Sequence, residues 1–301
     1  MTSPTITLPS ACMLLTLSAI WGGTFFFVEI ALFEVPPLTI TMHRVIWALP
    51  MLAVVVRLQG IALPRSPRLW GAYLVMGGLN NALPFSLIFW AQTQIEGGLA
   101  SILNGTTAVF GAVVAGILLK DEPLTRRKII GALLGVLGVA VVMGPDALRS
   151  FDLRNMAQLA VICAALCYAL AGVWGKRHLS TQPPQMNALG MLMGSTVWII
   201  PVAIWVEGVP SLTLGGTTWA ALLALAVVAT SAAYMLYFAI LRRAGAANLM
   251  LVTLMIPPFA IALGAAFLNE ALSAQAIVGF GVIALGILVT DGRILNMLRR
   301  P

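Results

Sequence analysis

Charge is what this sequence has least of. Only 9% of its 301 residues are Asp, Glu, Lys or Arg, while 60% are hydrophobic. A water-soluble domain carries about a quarter charged residues, because its surface must be solvated. This chain has too few to cover itself in water, so a lipid bilayer is its expected solvent. Histidine is scarce too, with His43 and His178 alone. No HExxH or GxSxG string occurs, and neither GxxxxGKS nor GxxxxGKT is found. The expectation is therefore a protein that is not an enzyme, with no cofactor and no metal. Cysteine is limited to Cys12, Cys163 and Cys167, all in apolar runs, which reads as packing and not as a ligand set. The net charge of +7 does not point to nucleic acid, because the basic residues lie between apolar runs and build no soluble basic face.

What the sequence has in abundance is apolar runs of about 20 residues without strand-like alternation, the length at which a helix crosses a bilayer. Hydrocarbon offers the backbone no hydrogen bonds, so only helices or closed barrels span it. The runs predict an all-α integral membrane protein of ten transmembrane helices, near 9–31, 36–56, 69–92, 96–119, 126–144, 155–176, 186–206, 217–240, 246–268 and 273–291. The first run has no charged flank or cleavage-like site, so it reads as a retained helix and not a signal peptide.

The basic residues orient these helices. Arg57, Arg65, Arg68, Lys120, Arg126, Arg127, Lys128, Lys176, Arg177, Arg242, Arg243, Arg293, Arg299 and Arg300 all fall at one end of such a bundle. The other end receives only Arg149 and Arg154. By the positive-inside rule both termini are expected in the cytoplasm of a bacterial inner membrane.

The chain also repeats itself. "ILLKDEPLTRRKIIGALLGVLGVAVV" (117–142) lies on "AFLNEALSAQAIVGFGVIALGILV" (266–289) at a shift of 148 residues. Glu122 then falls on Glu270, Leu124 on Leu272, Gly131 on Gly279 and Gly138 on Gly286. Five helices per copy is an odd number, so the copies are expected to enter the membrane from opposite sides, as residues 1–147 and an inverted 148–301. The second copy has lost the basic residues of the first: Lys120, Arg126, Arg127 and Lys128 become Leu268, Ala274, Gln275 and Ala276. Inverted repeats that meet around a central site recur in transporters.

"AIWGGTFFFVEIAL", "PPLTITMHRVIWALPML", "GILLKDEPLTRRKIIGALLGVLGVAVV" and "MIPPFAIALGAAFLNEALSAQAIVGFGVIALGILV" resemble the EamA-type branch of the drug/metabolite transporter superfamily, over the whole chain. Within it, the chain looks like bacterial amino-acid and metabolite exporters, including the aromatic amino-acid type. The resemblance implies a basket of two inverted five-helix halves. Its cavity would be lined by the third, fourth, eighth and ninth helices with help from the first and sixth. One departure is visible: the family often has a proline midway along the fourth helix, where this chain has Val109.

Candidate site residues follow from cost. A side-chain amide in hydrocarbon must find a partner, so Asn80, Asn81 and Asn104 are expected at a cavity or a helix contact. Trp21, Phe85, Tyr168 and Tyr234 are mid-helix aromatics that suit a flat, partly apolar solute, and Met255 adds an adaptable wall. Pro84 and Pro257 interrupt the helical ladder and read as hinges. Glu122 and Glu270, each followed by a hydroxyl N-cap at Thr125 or Ser273, read as hinge and cap elements. Arg44, a charge inside the second helix, reads foremost as half of a structural ion pair, with Glu29, Glu34 and Glu96 as the candidate acids; the alternative is a clamp or gate for a substrate carboxylate. Gly131, Gly135 and Gly138 predict that the fifth and tenth helices pack closely.

The function expected is export of amino acids, aromatic or bulky neutral ones favoured, by alternating access. No Asp or Glu lies mid-helix in the inner helices, which points to facilitated diffusion. The alternatives are a multidrug or other small-metabolite exporter coupled to protons and, more remotely, an intramembrane enzyme or a non-transporting sensor. The partners expected are a small-molecule solute and the bilayer, with the monomer as the working unit.

Overall fold

Proline sets where several helices begin, since a residue without an N–H loses nothing in the first turn. Pro37, Pro67 and Pro184 each start one. The structure, a computed structural model, describes residues 8–120, 124–143, 153–249 and 252–291. Glu122 lies outside the described residues. Each apolar window holds a helix: α1 (Leu8–Leu32), α2 (Pro37–Leu58), α3 (Pro67–Ala91), α4 (Gly97–Leu118), α5 (Arg126–Met143), α6 (Leu153–His178), α7 (Pro184–Glu207), α8 (Gly216–Ile240), α9 (Val252–Phe267) and α10 (Ala274–Asp291). Among the described residues there is no strand. Seven helices, α1 to α4 and α6 to α8, are long and apolar enough to cross a membrane. Shorter apolar stretches are Met255–Phe267 and Ala274–Thr290, while α5 opens on Arg126, Arg127 and Lys128.

One connection differs from expectation. Residues 241–245 were expected to be a loop, but helix continues from Ala233 to Leu249. The run "RRAGAAN" (242–248) contains no β-branched residue and three alanines, the strongest helix former, so the helix carries through it.

Glycine decides the packing of α5 on α10. A Cβ on Gly131 would stand 2.5 Å from the Gly286 carbonyl oxygen, and one on Gly286 would stand 2.7 Å from the Gly131 oxygen. Gly138 and Gly279 exclude each other in the same way, each at 2.9 Å from the other's carbonyl oxygen. Only hydrogen fits between these backbones, so the two helices lie in direct contact. Position 131 meets 286 and 138 meets 279, so the helices run antiparallel. Gly131 corresponds to Gly279 and Gly138 to Gly286 at the shift of 148 residues, so these two matching helices point in opposite directions.

Further pairs, α1 with α9, α2 and α3 with α7, α3 and α4 with α6, and α8 with α1 and α2, close around the interior. At the crossing of α1 and α9, a Cβ on Gly22 would come within 2.6 Å of the Phe259 Cβ. The core is apolar and aromatic, with Phe89, Tyr73, Leu192 and Leu225 fully buried.

Candidate functional site

Two helices, α3 and α8, lose their regular winding at positions that a shift of 148 residues superimposes. In α3, residues Gly78–Ala82 form a π turn, and the Leu83 N–H reaches back to the Gly78 carbonyl. Pro84 follows; it has no N–H for the Asn80 carbonyl, so the regular ladder cannot continue there. In α8, Ala224–Ala232 is π-helical without a proline. There the hydroxyls of Thr230 and Ser231 donate to carbonyls five residues back, those of Leu225 (2.8 Å) and Ala226 (3.3 Å). A shift of 148 residues carries 78–82 onto 226–230, inside the second π segment. Such bulges concentrate at functional sites, because they turn side chains and backbone off the helical register.

Between these segments lies a cavity of about 390 Å³. Asn80 and Phe85 face it from α3, Asn104 from α4, Trp21 from α1, Tyr168 from α6 and Tyr234 from α8. Phe89, Tyr237 and Phe238 add further rings. The polar groups form a chain across three helices. Asn80 Nδ2 donates to Asn81 Oδ1 at 3.0 Å and to the Tyr234 hydroxyl at 3.4 Å. That hydroxyl donates to Asn81 Oδ1 at 3.3 Å, and Asn81 Nδ2 donates to Ser195 Oγ at 3.0 Å. Two acceptors in the wall, Asn104 Oδ1 and Thr24 Oγ1, are buried with no hydrogen-bond partner among the described residues.

Six of the eight residues expected to meet a solute thus share one cavity. Asn81 is not among its walls: it is fully buried and ties α3 to α7 and α8. Met255 also falls outside the lining, and Met76 and Met191 supply the thioethers instead. Periodicity placed Asn81 and Met255 on the correct helices, but the π turn in α3 and the neighbours of α9 decided which face looks inward.

Arg44 overturns the expectation attached to it. Neither Glu29 nor Glu96 is its partner, and among the described residues no carboxylate reaches it. Glu29 accepts from Gln92 Nε2 at 3.0 Å, while Glu96 meets Arg154 at 4.0 Å. Arg44 is only 6% exposed and lines the cavity. Its Nε donates to Thr230 Oγ1 at 3.0 Å and its Nη2 to the Ala229 carbonyl at 3.5 Å. Its guanidinium carbon sits 4.0 Å from the Phe85 ring centroid and 5.8 Å from that of Phe89. The lone charge in an apolar helix was visible in sequence; that aromatic rings and a hydroxyl of α8 receive it was not.

The model of the EamA-like transporter family matches residues 8–144 and again 155–290. The chain belongs to this family. Similar proteins include the probable amino-acid metabolite efflux pump of Escherichia coli (strain K12), 25% identical over 90% of each chain. The uncharacterized transporter YoaV of Bacillus subtilis (strain 168) is 23% identical over 91% of this chain and 94% of its own. Protein PecM of Dickeya dadantii (strain 3937) is 27% identical over 86% of this chain and 84% of its own. A solved crystal structure with 17% identity superposes with a TM-score of 0.69 over 97% of this chain and 99% of its own, and shares the fold. This is a membrane transporter, in a family with relatives named as efflux pumps.

For an EamA-like chain the resemblance implied walls from the third, fourth, eighth and ninth helices, with the first and sixth helping. All six contribute here, but so do two others: Arg44 comes from α2, and Asn187, Ala188 and Met191 from α7. Pro257 lies inside α9, one turn beyond the lining residue Thr253.

Carboxylates fasten one end of this EamA-like bundle. Glu270 accepts the backbone N–H groups of Gly97 and Gly98, both at 3.1 Å, and so ties the α9–α10 connection to the start of α4. Asn269, just before it, adopts the left-handed backbone (φ 55°) that aims the chain there. Glu207 accepts from Leu38 N at 3.0 Å and Thr39 N at 2.7 Å, which caps α2. Glu34, in the α1–α2 connection, accepts the Gly215 N–H at 2.9 Å ahead of α8. That N–H, with the Thr218 side chain second, holds the Glu34 carboxyl below its ordinary range. Negative charge at a helix N-terminus is favoured by the helix dipole. Gln92 Nε2 adds a bond to the Phe25 carbonyl at 2.9 Å, which joins the end of α3 to α1.

Proposed function

We propose that this EamA-like chain exports amino acids, aromatic or bulky neutral ones foremost, across the bacterial inner membrane by alternating access. In this reading ten helices cross the bilayer as two inverted halves, 1–147 and 148–301. The basic loops and both termini lie in the cytoplasm, and the monomer is the transporting unit. The observation that carries the reading is the cavity between the halves, where amides and a hydroxyl of Asn80, Asn104 and Tyr234 stand among the rings of Trp21, Phe85 and Tyr168. Aromatic walls receive an apolar side chain, while amides offer both donors and acceptors to its polar end. The relatives named as probable amino-acid metabolite efflux pumps support this cargo class.

Movement falls to the prolines set within helices, Pro84 in α3 and Pro257 in α9. Glu270, bonded to the start of α4, supplies a releasable cap. Among the described residues no carboxylate lines the cavity, which favours facilitated diffusion down the solute's own gradient.

The test is flux into liposomes that hold the purified protein, with a panel of labelled amino acids and with or without a pH gradient. Saturable flux of aromatic or bulky neutral amino acids, unchanged by the gradient, is expected. Absence of flux for every amino acid rejects the cargo, and flux that follows the gradient rejects facilitated diffusion.

A further inference from the structure

Among the described residues, no carboxylate balances the charge of Arg44. Moving a guanidinium out of water is costly unless it is paired and hydrogen-bonded. Here it is 6% exposed, with no carboxylate within ion-pair distance among the described residues. Its hydrogen bonds go to one hydroxyl and, at the long distance of 3.5 Å, one carbonyl. A guanidinium has five N–H donors in a planar fork, so most of its capacity is unused. The rings of Phe85 and Phe89 attract the cation but accept no strong hydrogen bond. The same residue forms part of the wall of the 390 Å³ cavity. A buried cation, half satisfied and facing a cavity, matches the fork geometry by which arginine takes a carboxylate.

We propose that Arg44 is the anion-receiving group of this cavity, and that a carboxylate of the solute supplies its missing counter-charge. The inference rests on the transport reading and narrows it: the carboxylate is required, and the amino group is not. The buried acceptors Asn104 Oδ1 and Thr24 Oγ1, which lack donors, stand in the same wall. They receive an N–H or O–H from the rest of the solute and add affinity without deciding the class. A cationic amine with no carboxylate meets a like charge at Arg44 and is refused.

The experiment is ligand-dependent thermal stabilisation of the purified full chain in detergent, with two matched series. One is tryptophan, indole-3-propionate, tryptamine and tryptophanamide; the other is leucine, 4-methylpentanoate, isoamylamine and leucinamide. The carboxylates are expected to stabilise, with tryptamine, isoamylamine and the amides weaker by about tenfold or more, the scale of a lost charge-assisted bond. Arg44→Lys is expected to keep part of the response and Arg44→Gln to lose it. The comparison within the wild-type protein stands alone if Arg44→Gln does not fold. Equal stabilisation by amines or amides, no stabilisation by any compound, or an unchanged carboxylate response in Arg44→Gln overturns the proposal. Stabilisation by indole-3-propionate and 4-methylpentanoate but not by the amino acids would uphold Arg44 and reject amino acids as cargo. The reverse failure, amino-acid flux in liposomes with an unchanged response in Arg44→Gln, would keep the cargo and reject Arg44.

Discussion

The Arg44 guanidinium carbon lies 4.0 Å from the centroid of the Phe85 ring, so a residue of α2 is held by a residue of α3 that lines the same cavity. The ring is an electrostatic seat as well as an apolar wall. Phe85→Leu keeps apolar bulk and removes the π face. It is expected to lower stability by about 1–2 kcal/mol, the scale of a desolvated cation–π contact. Thermal unfolding in detergent reads this, and a melting temperature equal to wild type would show that the ring contributes packing alone.

Asn81 and Asn104 are expected to behave oppositely. Asn81→Ala strips partners from Ser195 and Tyr234 in the interior and should cost about 1–3 kcal/mol of stability. Asn104 Oδ1 has no partner to lose, so Asn104→Ala should leave the melting temperature within about 0.5 kcal/mol of wild type in equivalent stability. Its effect belongs in transport, as a raised KM. Melting curves and liposome flux on both variants separate the two roles.

Gly138→Leu should disrupt the contact of α5 with α10. Its Cβ alone would stand 2.9 Å from the Gly279 carbonyl oxygen, and backbone cannot yield as a side chain tip can. Overpacking on this scale costs about 1–3 kcal/mol or more. Gly281 in α10 has open space where its Cβ would go, so Gly281→Leu is the matched control and should unfold like wild type.

Glu270→Ala removes the carboxylate that caps α4 and is expected to cost about 0.5–2 kcal/mol, the range of a lost N-cap. Glu270→Gln retains acceptor oxygen but no charge and should fall between. If the cap is also a gate, both variants change the rate of flux more than its KM, which initial-rate measurements in liposomes would reveal.

The inverted arrangement is checked by topology. In a chain whose native Cys12, Cys163 and Cys167 are replaced, single cysteines at Lys120 and Asn269 are expected to react with impermeant reagents from opposite faces of the membrane. Labelling of both from one face would remove the basis for two inverted halves.

By itself the sequence determined the solvent and the helices. Scarce charge and runs of about 20 apolar residues leave hydrocarbon-embedded helices as the solution, because backbone groups must be satisfied within each segment. Glycines kept at a shift of 148 residues determined that α5 meets α10, since only hydrogen fits where carbonyls come so near. What the tertiary structure decided is which polar groups meet. Neighbouring Asn80 and Asn81 look alike in sequence, yet the π turn sends one to the cavity and the other into a hydrogen-bonded core. Arg44 has acids in plausible reach along the chain, and its position depends instead on Phe85 and Thr230, 41 and 186 residues away. Local spacing encodes which face a regular helix presents; contacts between distant segments, and departures from regular winding, arise only once all the helices are packed.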